Sequence, residues 1–133
     1  MIKCLAHVCF HARDLDASIA FYRDKLGLKE AFPFLKPDGR RFGVYLHAGG
    51  RNFIEIFEGK PAGKVEGQSY QHLCLEVDDI EGTVKAIRAK GVEVTDVKLG
   101  SDGTWQAWLA DPDGNRIELH HYTPQSKQGP FLG

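Results

Sequence analysis

The stretch HVCFHARDLDASIAFYRDKLGLK, starting at residue 7, can be laid over HLCLEVDDIEGTVKAIRAKGVE, starting at residue 72. At a constant offset of 65, His7 falls on His72, Cys9 on Cys74, Asp14 on Asp79, Leu15 on Ile80, Ile19 on Val84 and Arg23 on Arg88. A one-residue gap then brings Gly27 onto Gly91, and further along GGRNFIEIF lies over PDGNRIELH, with Glu55 on Glu118. So many matches in one order mark a tandem duplication. Each copy must therefore fold into an equivalent supersecondary unit, and a residue with a special role in one copy has a counterpart in the other.

Each copy opens with a strand of alternating character, residues 4–11 and 70–77, that runs to an aspartate able to cap a helix, Asp14 or Asp79. Apolar residues at helical spacing follow: Leu15, Ile19, Tyr22 and Leu26 in the first copy, Ile80, Val84 and Ile87 in the second. Gly27 and Gly91 end those helices. Three strand-like segments complete each copy, at 28–34, 41–47 and 52–58, and at 92–98, 104–110 and 115–122, with turns such as KPDGR and DPDGN between them. The expectation is an α+β chain of tandem βαβββ modules, 1–58 and 70–122. A linker at 59–69 joins them, a loop-like tail occupies 123–133, and the mixed sheets form one shared concavity.

The charge balance excludes a nucleic-acid binder. Lys and Arg number 17 against 18 Asp and Glu, for a formal charge of −1, and the basic residues are scattered. No apolar run approaches the roughly 20 residues that cross a bilayer, and MIKCLAHVCFHARDLD is not a signal peptide, so no membrane role is expected. Cys4, Cys9 and Cys74 are an odd, sparse set without CxxC spacing, which suits reduced thiols and a cytoplasmic protein.

Strand alternation sorts the faces. In the first strand Ala6, Val8 and Phe10 oppose His7, Cys9 and His11; in its repeat Leu73, Leu75 and Val77 oppose His72, Cys74 and Glu76. In NFIEIFE, Ile54 and Ile56 oppose Phe53, Glu55 and Phe57; in NRIELHHY, Ile117 and Leu119 oppose Arg116, Glu118 and His120. The aliphatic faces pack under the helices, leaving His and Glu on the other faces. A carboxylate in the middle of an apolar strand needs an ion pair, water or a metal, because desolvation alone costs several kcal/mol. Two His and two Glu inherited as equivalent pairs fit a metal site: His7, Glu55, His72 and Glu118. This mixed N/O set of charge −2 suits one divalent ion per site, Zn²⁺ or Ni²⁺ foremost, with Co²⁺, Mn²⁺ and Fe²⁺ also accommodated. A six-coordinate ion would keep two positions for water or substrate, as catalytic sites do.

At these residues the chain resembles the vicinal oxygen chelate superfamily, and within it the glyoxalase I (lactoylglutathione lyase) group. The likeness runs from about residue 4 to 122 and is carried by HVCF…RDLDASIAFYRDKLGLK, FIEIF, QHLCLEVDDIE and DPDGNRIELHH. It implies the glyoxalase/bleomycin-resistance/dioxygenase fold and His7, Glu55, His72 and Glu118 as metal ligands. It also implies a lyase or isomerase that moves a proton through a metal-held enediolate, turning a methylglyoxal–thiol hemithioacetal into an S-lactoyl thioester. Glu118, with Glu55, would be the base, and the protein a homodimer. His11, Tyr45, Phe53, Trp108 and His120 are candidates to line the small-molecule substrate. His11 and Gly59 stand where bacterial glyoxalase I commonly has Arg and Asn. The alternatives are an epimerase or isomerase of an acyl-CoA or 2-hydroxy-ketone, a ring-cleaving dioxygenase, and a non-catalytic ligand-sequestering module.

Overall fold

Alternating exposure along HVCFHA makes β1 (His7–Ala12) a half-covered strand, with His7, Cys9 and His11 exposed and Val8, Phe10 and Ala12 turned inward. These assignments come from a computed structural model, which describes residues 1–63 and 65–133; Lys64, in the stretch read as a linker, lies outside the described residues. The chain divides into two compact units, Met1–Gly63 and Lys64–Gly133.

In the first unit β1 is followed by α1 (Leu15–Ile19), β2 (Lys29–Leu35), β3 (Arg41–His47) and β4 (Phe53–Glu58), with strand order β1-β4-β3-β2. β1 lies parallel to β4 because a helix carries the chain across between them, while β2, β3 and β4 pair as antiparallel hairpins. The Asp14 carboxylate accepts a hydrogen bond from the Ala17 amide at 3.0 Å and starts the helix. Leu15, Ile19 and Tyr22 are buried, as are Val44, Leu46, Ile54 and Ile56 of the sheet beneath. Each such aliphatic side chain contributes about 1.5–3 kcal/mol by leaving water.

The second unit repeats the plan: β5 (Leu73–Glu76), α2 (Ile80–Ala89), β6 (Lys98–Leu99), β7 (Trp105–Ala110) and β8 (Arg116–His121), in order β5-β8-β7-β6. β5 is parallel to β8, and Asp79 caps α2 through the Gly82 amide at 3.0 Å. Ile80, Val84 and Ile87 are buried on the helix, and Ala107, Leu109, Ile117 and Leu119 on the sheet. Each unit is therefore βαβββ, an α+β plan built on a four-stranded mixed sheet. No helix among the described residues is long and apolar enough to cross a membrane.

Two local expectations are corrected. The helix expected from Leu15 to Leu26 changes after Ile19 into a π turn over Ala20–Lys25, where the Leu26 amide reaches back five residues to the Phe21 carbonyl at 3.0 Å. The wider turn buries the adjacent Phe21 and Tyr22 together, at 5% and 0% exposure, and the two rings meet edge to face at 5.2 Å. The strand expected at 92–98 is regular only at Lys98–Leu99, although the Thr95 amide still donates to the Trp108 carbonyl at 2.9 Å. Ahead of it the Trp108 amide donates to the Thr95 hydroxyl at 2.9 Å instead of to a ladder carbonyl, and Arg88 holds the Val94 carbonyl at 2.7 Å. The tail is hydrogen-bonded to the second unit: buried Thr104 donates to the Ser126 hydroxyl at 2.8 Å, and the Gln128 amide donates to Asp102 at 2.6 Å.

Replacing Asp79 with Ala is expected to cost about 1 kcal/mol in urea unfolding, the usual loss of an N-cap. Gly82→Ala is expected to miss the gain of roughly 1 kcal/mol that alanine brings to a helix. A methyl group there would strike the capping Asp79 carboxylate. A full alanine gain at position 82 would contradict this cap geometry.

Candidate metal and active site

Parallel pairing of the first and last strand of each unit sets the site residues side by side. In the first unit Cys9 of β1 lies opposite Glu55 of β4, which in turn faces Tyr45 of β3. His7, one pleat away on the same face, brings Nε2 to 3.8 Å from Glu55 Oε1. Its other ring nitrogen, Nδ1, is 3.0 Å from the Tyr45 hydroxyl. With the proton on Nδ1 given to the tyrosine oxygen, the Nε2 lone pair is free to bind a cation, the arrangement that orients histidine ligands in metal sites. Phe53 stacks on Tyr45 at 5.0 Å and contacts His47 at 5.3 Å, so an aromatic wall flanks the pair. His11 is exposed at the far end of β1, and its Cβ and Cγ lie 2.9 Å from where a Cβ at Gly59 would stand.

The second unit reproduces the pattern with different neighbours. Cys74 of β5 lies opposite Glu118 of β8, which faces Trp108 of β7. His72 Nε2 is 3.0 Å from Glu118 Oε2. His120, two residues along β8, places Nε2 2.8 Å from Glu118 Oε1. Trp108 meets the His72 ring edge to face at 4.8 Å, and the Arg116 guanidinium lies 4.4 Å over the indole. Glu118 is 7% exposed, the more buried carboxylate of the two pairs.

Each unit thus turns one imidazole Nε2 and one carboxylate toward each other, and the donor set of each half fits a divalent ion. A second grouping stands beside it: ligand atoms of Cys74, Glu118 and His120 all lie within 4.8 Å of one another and could hold a metal. Strand alternation puts His120 on this face, and Tyr45 and Trp108 were candidates to line the substrate, but nothing signalled that the Tyr45 hydroxyl meets His7 or that His120 grips Glu118. The pairing of Cys9 with Glu55 and of Cys74 with Glu118 was also missed, although each residue has its counterpart in the repeat.

A family model of the glyoxalase/bleomycin resistance protein/dioxygenase superfamily matches residues 5–119. The lactoylglutathione lyase of Haemophilus influenzae is 36% identical over 131 residues, covering 86% of this chain and 90% of the relative. That of Salmonella typhimurium is 33% identical over 123 residues, with the same coverage, 86% and 90%. Among solved structures, the glyoxalase family protein from Enterococcus faecalis superposes with a TM-score of 0.75 at 27% identity, covering 89% of this chain and 97% of that one.

The two site thiols are held protonated. Burial, then the adjacent Glu118 charge and hydrogen bond, push the Cys74 thiol up to about 12; burial and Glu55 push Cys9 upward as well. At pH 8 almost none of Cys74 is thiolate, the form that attacks electrophiles. In metal-free protein Cys74 is therefore expected to react with iodoacetamide at least tenfold more slowly than free cysteine, followed by peptide mass spectrometry. Glu118→Gln should speed it, since a neighbouring negative charge is lost. Equal rates in the two proteins would show that Glu118 does not act on the thiol.

Proposed function

The chain belongs to the glyoxalase/bleomycin resistance protein/dioxygenase superfamily and is an enzyme of the glyoxalase I type, and from that premise we propose that it isomerises the hemithioacetal of methylglyoxal and a thiol to an S-lactoyl thioester. The observation that carries this reading is the twice-built histidine–carboxylate pair, His7 with Glu55 and His72 with Glu118. These four side chains are the proposed ligands. A divalent ion held by them supplies the Lewis acidity that makes the substrate's C–H acidic at neutral pH.

The chain's own residues do the rest. A carboxylate oxygen of Glu118 or Glu55 takes the proton from the carbon bearing sulfur and returns it to the neighbouring carbonyl carbon. The hydroxyl on the sulfur-bearing carbon loses its proton and becomes the thioester carbonyl, the former ketone oxygen gains a proton and becomes the alcohol, and no outside oxidant or reductant is needed. The Tyr45 hydroxyl keeps the His7 ring turned with Nε2 toward Glu55. Phe53 and Trp108 offer apolar walls for the methyl end of a small substrate, and His120 and His11 are the polar groups assigned beside it. The reading includes Zn²⁺ or Ni²⁺ as the ion and a homodimer working in the cytoplasm.

A second reading keeps the metal and the base but changes the substrate, to another 2-hydroxy-carbonyl compound or an acyl-CoA. The observation that favours it is the packing of His11 directly onto Gly59. That pair occupies the positions where glyoxalase I of bacteria commonly presents Arg and Asn.

Protein stripped with a chelator and reloaded separately with Ni²⁺, Zn²⁺, Co²⁺ or Mn²⁺ is expected to turn over methylglyoxal plus glutathione. Stripping should abolish the activity. Glu118→Gln at matched metal content should lower kcat by about 10²–10⁴, the usual worth of a positioned general base. Stoichiometric metal without turnover would reject the glutathione substrate and favour the second reading.

A further inference from the structure

The two halves are alike in their histidine–glutamate pairs but unequal in what holds the glutamate. Both oxygens of Glu118 are engaged, Oε2 with His72 at 3.0 Å and Oε1 with His120 at 2.8 Å. At the equivalent place in the first unit, two residues beyond Glu55, stands Phe57, which packs on Phe34 at 4.9 Å and offers no donor. Glu55 has its His7 partner only at 3.8 Å and the Cys9 thiol as a hydrogen-bond donor. At the place that reaches the glutamate, the first copy has Phe57 and the second His120.

We infer that His120 is a positioning residue: its Nε2–H holds Oε1 of Glu118 and thereby presents Oε2, the oxygen facing His72, to the ion. This rests on the ligand set proposed above. A carboxylate as buried as Glu118 needs donors on the side away from its cation, and ligating carboxylates in metal sites are regularly fixed by such outer hydrogen bonds. The His120 ring is itself placed from two sides. Its backbone pairs with Glu76 of β5 and Gln106 of β7, and its edge meets the Tyr122 ring at 5.8 Å. Because Nε2 is spent on Oε1, His120 acts through Glu118 and is not itself a ligand. One glutamate is thus clamped, and Glu55 is the freer of the two.

The test is Co²⁺ affinity, measured by competition with a chelating dye, in wild type, His120→Leu, His120→Gln, Glu118→Ala and the Glu118→Ala/His120→Leu double variant. His120→Leu removes the donor and is expected to weaken binding about 10–100-fold, as loss of such a partner does elsewhere. His120→Gln keeps an N–H at similar reach and should stay within about threefold of wild type. In the Glu118→Ala background, His120→Leu should change nothing further, an outcome that general loosening of the fold would not give. Equal affinity of His120→Leu and wild type would overturn the inference. So would a loss in His120→Gln as large as that in His120→Leu, which would mark the imidazole as a ligand. Failure of the wild type to bind Co²⁺ would instead bring down the ligand set, and this inference with it.

Discussion

Everything in the site depends on the parallel ladder between the first and last strand of each βαβββ unit. A helix between β1 and the hairpins returns the chain so that β4 runs alongside β1, and α2 does the same for β8 and β5. That ladder puts Cys9 opposite Glu55 and Cys74 opposite Glu118. His7 and His72 then lie one pleat away on the same face. Residues almost 50 apart in sequence come within 3.8 and 3.0 Å of each other without any local motif. The aliphatic face of the same strands buries Ile54, Ile56, Ile117 and Leu119 under the helices. A register slip of one residue would exchange the two faces and put the carboxylates into that core, so the packing that stabilises the sheet also fixes the donors.

Duplication set up the pattern twice, and divergence then specialised each copy. Tyr45 gives the first histidine a hydroxyl partner where Trp108 gives the second only an aromatic edge. His120 gives the second glutamate a donor where Phe57 gives the first none. One half therefore secures its imidazole and the other its carboxylate.

The plan of the fold was legible because it follows from short-range chemistry written twice: alternation at residues 7–12, capping aspartates at 14 and 79, and glycine-bearing turns between strands. The candidate ligands were legible for the same reason, since Glu55 and Glu118 interrupt apolar strands at matching places. What escaped was set by packing at longer range. The π turn carries Phe21 and Tyr22 side by side into the core, and the spacing of apolar residues gave no sign of it. The shortness of β6 follows from the Thr95 hydroxyl taking a ladder hydrogen bond. Alternation places His120 on the face of Glu118, but reach between side chains decides that Tyr45 meets His7 and His120 meets Glu118.

The central proposal is that His7, Glu55, His72 and Glu118 are the ligands of the divalent ion, and that Cys74 stands by as a thiol. X-ray absorption at the zinc edge of the Zn²⁺-loaded protein tests it most directly. The account predicts a shell of nitrogen and oxygen only, at about 2.0–2.2 Å, with the outer scattering of two imidazoles. A sulfur at about 2.3 Å would contradict it and move the ion to the cluster of Cys74, Glu118 and His120.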